Sequence, residues 1–534
     1  MKKQLLLGVE AIAQGALDAG ISGVYAYPGT PSTEITEHIQ NSKIAKERNI
    51  HREWAANEKT AMESALGMSY AGKRALVCMK HVGMNVAADC FMNAAITGAN
   101  GGMVVLAADD PSMHSSQNEQ DSRMYGKFAL VPVFEPSNQQ EAYDMTKAAF
   151  DLSEKMGTPV LLRVTTRLAH SRAGVEIADA PIAENELKTP EDKRQFVLLP
   201  AIARKRYKIL LDKQKDFVRE SESSVYTKYI DGEDKSIGIV ACGIGFNYYM
   251  EIFKGNSPHP LVKVSQYPIP EQQIQKLINE CDDILVLEEG YPIVEELLRG
   301  FPVNEKIHGR LDGTLPRDGE LNPDVVAAAF KLPTQEGMPI PEMVAGRPPA
   351  LCNGCSHKDV YSALNDVLRD YPNGRVFADI GCYTLGALPP FQAIHSTVDM
   401  GASITMAKGA SDAGLFPAVA IIGDSTFTHS GMTGLLDAVN EHNKILIIIS
   451  DNESISMTGG QDSSAKGKIE SICEGVGVDK DHIHVILPVP KTAEELRKLI
   501  REELEYDGVS VIIPRRVCIQ KNRRDVKEKR AAKK

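Results

Sequence analysis

What most constrains the fold of this chain is one unit that recurs along it. A short, unbroken run of β-branched and aliphatic residues leads into a Gly, Asp or Pro turn and then a helical pattern. The runs GVYAYPG (23–29), ALVCMK (75–80), GMVVLAADD (102–110) and PVLLRVTT (159–166) form one group. IGIVACG (237–243) and DDILVLEEG (282–290) form a second, and RVFADIG (375–381), AVAIIGDS (418–425), ILIIISDN (445–452) and VSVIIP (509–514) a third. Apolar runs without alternation are strands buried on both faces, and strands alternating with helices make parallel sheets. The pattern predicts an α/β chain of three doubly wound parallel-sheet domains, at 1–171, 235–332 and 350–520. Between them lie a charge-rich linker (172–234), with a predicted helix in LLPAIARKRYKILLDKQ, and a Pro-rich linker (333–349); a basic tail (521–534) follows. In such sheets ligands sit at the carboxyl ends of the strands, so the turns there hold the informative residues.

Composition matters mainly for what it excludes. A chain of 534 residues, 43% of them hydrophobic, can bury its cores without disulfides. Its net charge of −11 argues against a general nucleic-acid binder, and the basic tail reads as a solvated end. The start, MKKQLLLGVEAIAQG, imitates a secretory signal only briefly, because Glu10 breaks a short apolar run. No run approaches the roughly 20 residues that span a bilayer. The reading is a cytoplasmic protein with no membrane contact. Its nine cysteines are then reduced, and paired ones point to metal or redox chemistry.

The most specific pattern is GDSTFTHSGM (423–432) followed by DNESISMTGGQ (451–461), each after an apolar strand. Asp424 and Asn452 lie 28 residues apart and offer a carboxylate and an amide carbonyl, with the Ser454 carbonyl as a third oxygen. Magnesium takes such oxygen ligands and shares itself with phosphates. Gly423 would let backbone approach a phosphate, and the N–H groups near Ser425 and Thr426 open a helix that suits an anion. Alone, this could be an ordinary turn with Asp as N-cap. In YPGTPSTE, Pro31 is predicted at the first helical position, which leaves Thr30 just before a helix start. Lys80, His81 and Arg123 are cations placed to meet a carboxylate, or simply to brace loops. LCNGCSH (351–357) admits a zinc site, a thioredoxin-like dithiol, an iron–sulfur ligand pair, or buried thiols without function.

From about residue 5 to 520 the chain resembles the large subunits of the 2-oxoacid:ferredoxin oxidoreductases, in particular the indolepyruvate type. The resemblance is carried by YPGTPSTE (27–34), NEKTAMESALGMSYAGKRALVCMKHVGMNVAAD (57–89), DDPSMHSSQNEQDSR (109–123), LEEGYPIVEE (287–296), CNGCSHK (352–358), DIGCYTLG (379–386) and the GDS/DN pair. It implies a pyrimidine-binding and a diphosphate-binding thiamine domain, with a transketolase-C-terminal-like domain between them. It implies thiamine diphosphate and Mg2+ held through Gly423, Asp424, Ser425, Thr426, Asn452 and Ser454, with Cys382 and Tyr383 also at the cofactor. Glu58 matches the glutamate that activates the aminopyrimidine. Thr30, His81 and Arg123 would meet the 2-oxoacid. Cys352, Cys355, Cys382 and Cys518, in the family's order, would hold a [4Fe–4S] cluster.

The implied reaction is oxidative decarboxylation of an aryl 2-oxoacid, indolepyruvate-like, to its acyl-CoA. Electrons would pass to ferredoxin or another acceptor. A smaller beta subunit and a dimer of heterodimers are implied as well. Family members usually carry a C-terminal ferredoxin-like domain with two CxxCxxC runs. This sequence shows none after Cys518, so that domain is expected on another polypeptide or not at all. Two rivals share parts of the pattern: a non-oxidative thiamine-dependent decarboxylase needing no cluster, and a non-enzymatic subunit binding no thiamine.

Overall fold

A computed structural model describes residues 2–531 except 189, 191–194, 197–198, 301–303, 317–318, 335–336, 338, 347–349, 398–399 and 413. Parts of the stretches read as linkers, and residues 532–534 of the tail, lie outside the described residues. The chain forms two compact units, Met1–Met338 and Pro339–Lys534.

The first unit holds two main sheets. One runs in the order Gln266–Tyr267, Val133–Phe134, Val160–Thr165, Met103–Asp109, Ala75–Lys80, Gly23–Ala26, parallel throughout except at its first strand. The other runs Ile307–His308, Asp283–Leu287, Ile237–Cys242, Leu261–Val264, Lys228–Ile230, parallel except at its last strand. Lys2–Leu7 and Arg172–Ile177 form a separate antiparallel pair. Every residue of Ala75–Lys80, Met103–Asp109 and Val160–Thr165 is buried, as unbroken apolar runs require.

Leu261–Val264 pairs in the second sheet, and after Ser265 the same stretch pairs as Gln266–Tyr267 with the edge of the first. One apolar cluster accordingly contains Leu106 and Leu162 of the first sheet together with Ile239 and Leu285 of the second.

The second unit is built on one sheet, Ser396–Thr397, Arg375–Ala378, Ala418–Gly423, Ile445–Ser450, Val509–Pro514, Ile483–Ile486, parallel throughout. Strand residues alternate between its two faces. Ile421, Ile448 and Ile512 pack with Leu364 and Ile500 of the helices Ser356–Leu368 and Ala493–Glu505. Ile422, Ile447 and Ile513 pack with Ile404, Leu435 and Ile469 of the helices Ala402–Asp412, Met432–Asn440 and Ile469–Gly475. Burial of each such side chain is worth about 1.5–3 kcal/mol. Cys78, Cys90, Cys242, Cys281 and Cys473 are buried, small apolar members of these layers. No helix among the described residues is long and apolar enough to cross a membrane.

Two local expectations fail. The helix after YPG begins at Thr33, not Pro31, because Ser32 bonds back to the Gly29 carbonyl through its N–H (2.8 Å) and Oγ (2.7 Å), closing a turn first. The basic segment does not begin as a solvated end either. It forms the helix Ile519–Ala531, and Lys521 and Arg524 donate to the carbonyls of Glu453 (3.3 Å) and Gly459 (2.5 Å).

Candidate active site

In the second unit, the carboxyl ends of three neighbouring strands present Asp379, Asp424 and Asp451. Asp424 is the first residue of a helix that continues through a π-turn, Phe427–Gly431, into Met432–Asn440. Such bulges concentrate at functional sites. Its carboxylate is buried, and Oδ2 has no hydrogen-bond partner. Burial, reinforced by the nearby charge of Asp451, raises its pKa to about 7. A buried carboxylate oxygen without a donor is what a cation would satisfy, so Asp424 fits a metal ligand.

Asp451 has a different task. Arg515 Nε reaches it at 2.6 Å and clasps Glu470 with its other nitrogens at 2.8 and 2.7 Å. Asn452 folds onto its own turn, and Oδ1 accepts Ser454 N (3.0 Å), Ser454 Oγ (3.0 Å) and Ser456 Oγ (3.3 Å). Glu453 between them sits at φ 59°, in the left-handed region, as a tight turn demands.

Gly423 is needed here for a reason other than direct phosphate approach. A Cβ there would lie 2.7 Å from Cε1 of Tyr383, whose ring covers it. The Tyr383 hydroxyl donates to Asp379, which also accepts Ser403 Oγ at 2.6 Å. Burial outweighs these bonds and raises Asp379 to about 7. Thr426 Oγ1 donates to the Ile380 carbonyl at 3.2 Å, tying the first helical turn to the end of the neighbouring strand. Asp379 and Ser403 escaped the sequence reading; the only signal was the aspartate that ends the run RVFAD.

The four cysteines converge. Cys352, Cys355, Cys382 and Cys518 line one cavity of about 80 Å³, with His357, Asn452, Ser456 and Gln520. They arrive from a loop, a helix N-cap, the start of a 3₁₀ turn and the residue before a helix. The Cys518 N–H donates to the Asn452 carbonyl at 3.1 Å, which joins the cysteine cavity to the Asn452 turn. Burial raises Cys355, and raises Cys382 to about 12. Burial also acts on Cys518, but hydrogen bonds from Ser456, the N–H groups of Lys521 and Gln520, and Ser454 overcome it and lower its pKa. His357 is lowered to about 4 by burial and so is neutral.

No three of these sulfur and imidazole atoms lie within 4.8 Å of one another among the described residues. One zinc ion needs its sulfurs about 3.8 Å apart, from bonds of about 2.3 Å.

In the first unit, Glu58 opens the helix Glu58–Tyr70 after its N-cap Asn57 and is buried. Its carboxylate lies against Gly83, where a Cβ would stand 2.8 Å from Oε1. Gly83 is the third residue of the helix His81–Thr97, so Glu58 approaches that helix's positive end. His81 is buried, with Nε2 3.2 Å from the Asn118 carbonyl and Nδ1 without a partner. Lys80 donates to the Ser115 carbonyl at 2.6 Å; burial lowers its pKa to about 8, opposed by Asp110. The half-buried Thr30 follows Gly29, whose Cβ position is 3.3 Å from the Lys80 Cβ. Thr30, Glu58, Lys80 and His81 thus gather around one helix start.

Arg123 does not join them. Its guanidinium forks onto Asp121 (2.6 and 2.9 Å) and reaches Glu288 (2.9 Å), the Tyr267 hydroxyl (3.1 Å) and the carbonyls of Glu289 and Tyr291. Every N–H faces a protein acceptor, so the expected clamp on a substrate carboxylate is replaced by a buried brace. Arg163, joined to Asp109 (2.6 Å) and Glu135, extends this layer.

Two families match this architecture. The one described as pyruvate flavodoxin/ferredoxin oxidoreductase, thiamine diP-binding, covers residues 14–223, and the thiamine pyrophosphate enzyme C-terminal TPP-binding domain covers 379–513. The chain is 39% identical to indolepyruvate oxidoreductase subunit IorA of Archaeoglobus fulgidus, over 97% of this chain and 86% of that one. It is 37% identical to the IorA subunit of Methanothermobacter thermautotrophicus, over 97% and 87%. Among solved structures, 2-oxoglutarate:ferredoxin oxidoreductase from Magnetococcus marinus shares the fold with a TM-score of 0.50 and 15% identity, over 62% of this chain and 65% of that one. With both thiamine-binding domain types and full-length relatives of that identity, the chain belongs to the indolepyruvate oxidoreductase IorA subunits, a branch of the thiamine-diphosphate-dependent 2-oxoacid oxidoreductases.

Proposed function

We propose that this chain is the catalytic subunit for oxidative decarboxylation of an aryl 2-oxoacid, indolepyruvate-like, to its acyl-CoA. The balance is 2-oxoacid plus coenzyme A giving acyl-CoA, carbon dioxide, a proton and two electrons, which leave singly to ferredoxin or another acceptor. When bound, thiamine diphosphate supplies the carbon nucleophile and the electron sink.

The protein's part is to hold and orient. Asp424 carries the metal through its unpartnered Oδ2, with Asn452 and the Ser454 carbonyl completing the protein's share. Asn452 must turn its amide oxygen out of the Ser454 turn to do so. The backbone around Ser425 and Thr426 receives the diphosphate. Tyr383 over Gly423 walls the site, and Cys382 beside it belongs to both cofactor and cluster. Glu58, fixed against Gly83, holds a proton toward the aminopyrimidine. His81, through Nδ1, and Thr30 orient the 2-oxoacid. Cys352, Cys355, Cys382 and Cys518 would hold a [4Fe–4S] cluster, which would supply one-electron redox chemistry beside the cofactor. A smaller beta subunit, and assembly as a dimer of heterodimers, belong to the same reading.

One observation carries it: four cysteines from distant parts of the chain line one cavity, and one of them bonds to the backbone of Asn452. The test is iron per thiamine diphosphate in protein purified without oxygen. About four irons per cofactor are expected. Cys355→Ser should then abolish coenzyme-A-dependent dye reduction while thiamine stays bound. Thiamine without iron or sulfide would overturn the cluster and favour a non-oxidative decarboxylase.

A further inference from the structure

A second constellation lies in the second unit, away from the thiamine and cysteine motifs. The edge strand Ile483–Ile486 is preceded by His482 and carries His484. Residues two apart in extended chain point to the same side, so HIH presents two imidazoles together. Beneath them is Glu503 of the helix Ala493–Glu505. That helix buries Leu496, Ile500 and Leu504, and Glu503 is an acid placed in the same buried stripe. Its side chain is only 7% exposed.

One carboxylate oxygen meets His482 Nδ1 at 2.9 Å and the other meets His484 Nε2 at 2.7 Å. Among the described residues no lysine or arginine pairs with this carboxylate. The His482 ring is held by stacking on Tyr506, with centroids 3.4 Å apart and planes 15° apart. Three ligand atoms, one from each residue, fall within 4.8 Å of one another. The buried carboxylate thus has two imidazoles as its side-chain partners.

We propose that His482, His484 and Glu503 form a binding site for a divalent transition metal of the zinc class. Two imidazole nitrogens and one carboxylate oxygen are a common zinc donor set, with water in the fourth position. Both imidazoles are 26–30% exposed, which gives solvent that position. Ligands on one tetrahedral zinc stand about 3.4 Å apart, given bonds of about 2.0–2.1 Å. The two histidine–carboxylate spacings, 2.9 and 2.7 Å, therefore need to open by only about 0.5–0.7 Å. Metal binding sends any ring proton shared with Glu503 to the other ring nitrogen or to water. The metal would staple the edge strand to the helix behind it.

The test uses the full-length chain with its native cofactors, cleared of loose metal by a weak chelator and titrated with Co2+. Expected is one equivalent showing visible d–d absorption without a thiolate charge-transfer band, displaced by Zn2+, with a zinc-dependent rise in thermal midpoint. His484→Gln should weaken it by more than the roughly 10–100-fold that loss of an outer-shell partner costs. The His482→Gln/His484→Gln pair should remove both the equivalent and the rise. Persistence of the signal in the double variant, or cobalt uptake only with thiolate bands, overturns the proposal. Cysteine-bound metal is separated by its charge-transfer band, and an unchanged far-UV circular dichroism spectrum identifies the double variant as folded.

Discussion

Gly83 is the residue whose role is plainest in the structure and least visible in the sequence. A helix-interior glycine normally gives up about 1 kcal/mol relative to alanine. Here the added methyl would stand 2.8 Å from Oε1 of Glu58. Gly83→Ala is expected to leave the thermal midpoint near wild type yet cut kcat at least about tenfold, as Glu58→Gln should, in dye-reduction assays. Arg123 gives the opposite pattern. Arg123→Met strips this cation from the buried Asp121 and Glu288, leaving Asp121 with Arg163 at 3.6 Å and Glu288 with only the N–H groups of Val294 and Glu295, a loss of about 3–5 kcal/mol read from denaturant unfolding, with KM unchanged in the folded fraction.

Lys80 supplies a pH signature. Its folded pKa is lowered from 10.5 to about 8, so the cost of its buried charge is fully present below pH 8 and fades as pH rises toward 10.5. Lys80→Met should be the more stable protein at pH 7, by on the order of 2 kcal/mol, and lose that advantage by pH 10. An advantage that grows with pH would contradict the assignment. Asp424 was legible in the sequence because a strand run ends on it. Arg123 stayed open between a substrate contact and a brace because a cation in a polar loop looks the same whether it meets a substrate or, as here, Glu288 lying 165 residues downstream.

At the scale of elements, the sequence showed most where periodicity is local. Every apolar run it marked contains a strand, since burial on both faces writes itself into consecutive residues. The short strands Val133–Phe134, Gln266–Tyr267 and Ser396–Thr397 left no such trace, because two residues have no period. The helix Ile519–Ala531 was missed for a related reason: its mean polarity is high, and what holds its start is bonding to the turn at 453–460. Truncation after Cys518 is accordingly expected to loosen that turn and lower magnesium and thiamine diphosphate affinity at least about tenfold. Titration of both ligands against amide hydrogen-exchange protection of residues 451–462 measures it.

At the scale of the molecule, the family could be read from motifs, while the packing of the first unit could not. Nothing local in SQYP announces that the chain, having just completed a strand in one sheet, adds the next strand to another. That crossing has a consequence for how such a gene can be recombined. A crossover near residue 235 would separate Tyr267 from the Val133–Phe134 edge it pairs with, and from Arg123 and Glu135, to which its hydroxyl is bonded. The chimera would inherit two halves of an interface from different parents. A crossover near residue 339 would fall between the two compact units and leave those partners together. Descent should therefore have kept the first 338 residues as one heritable block, whatever it exchanged beyond them.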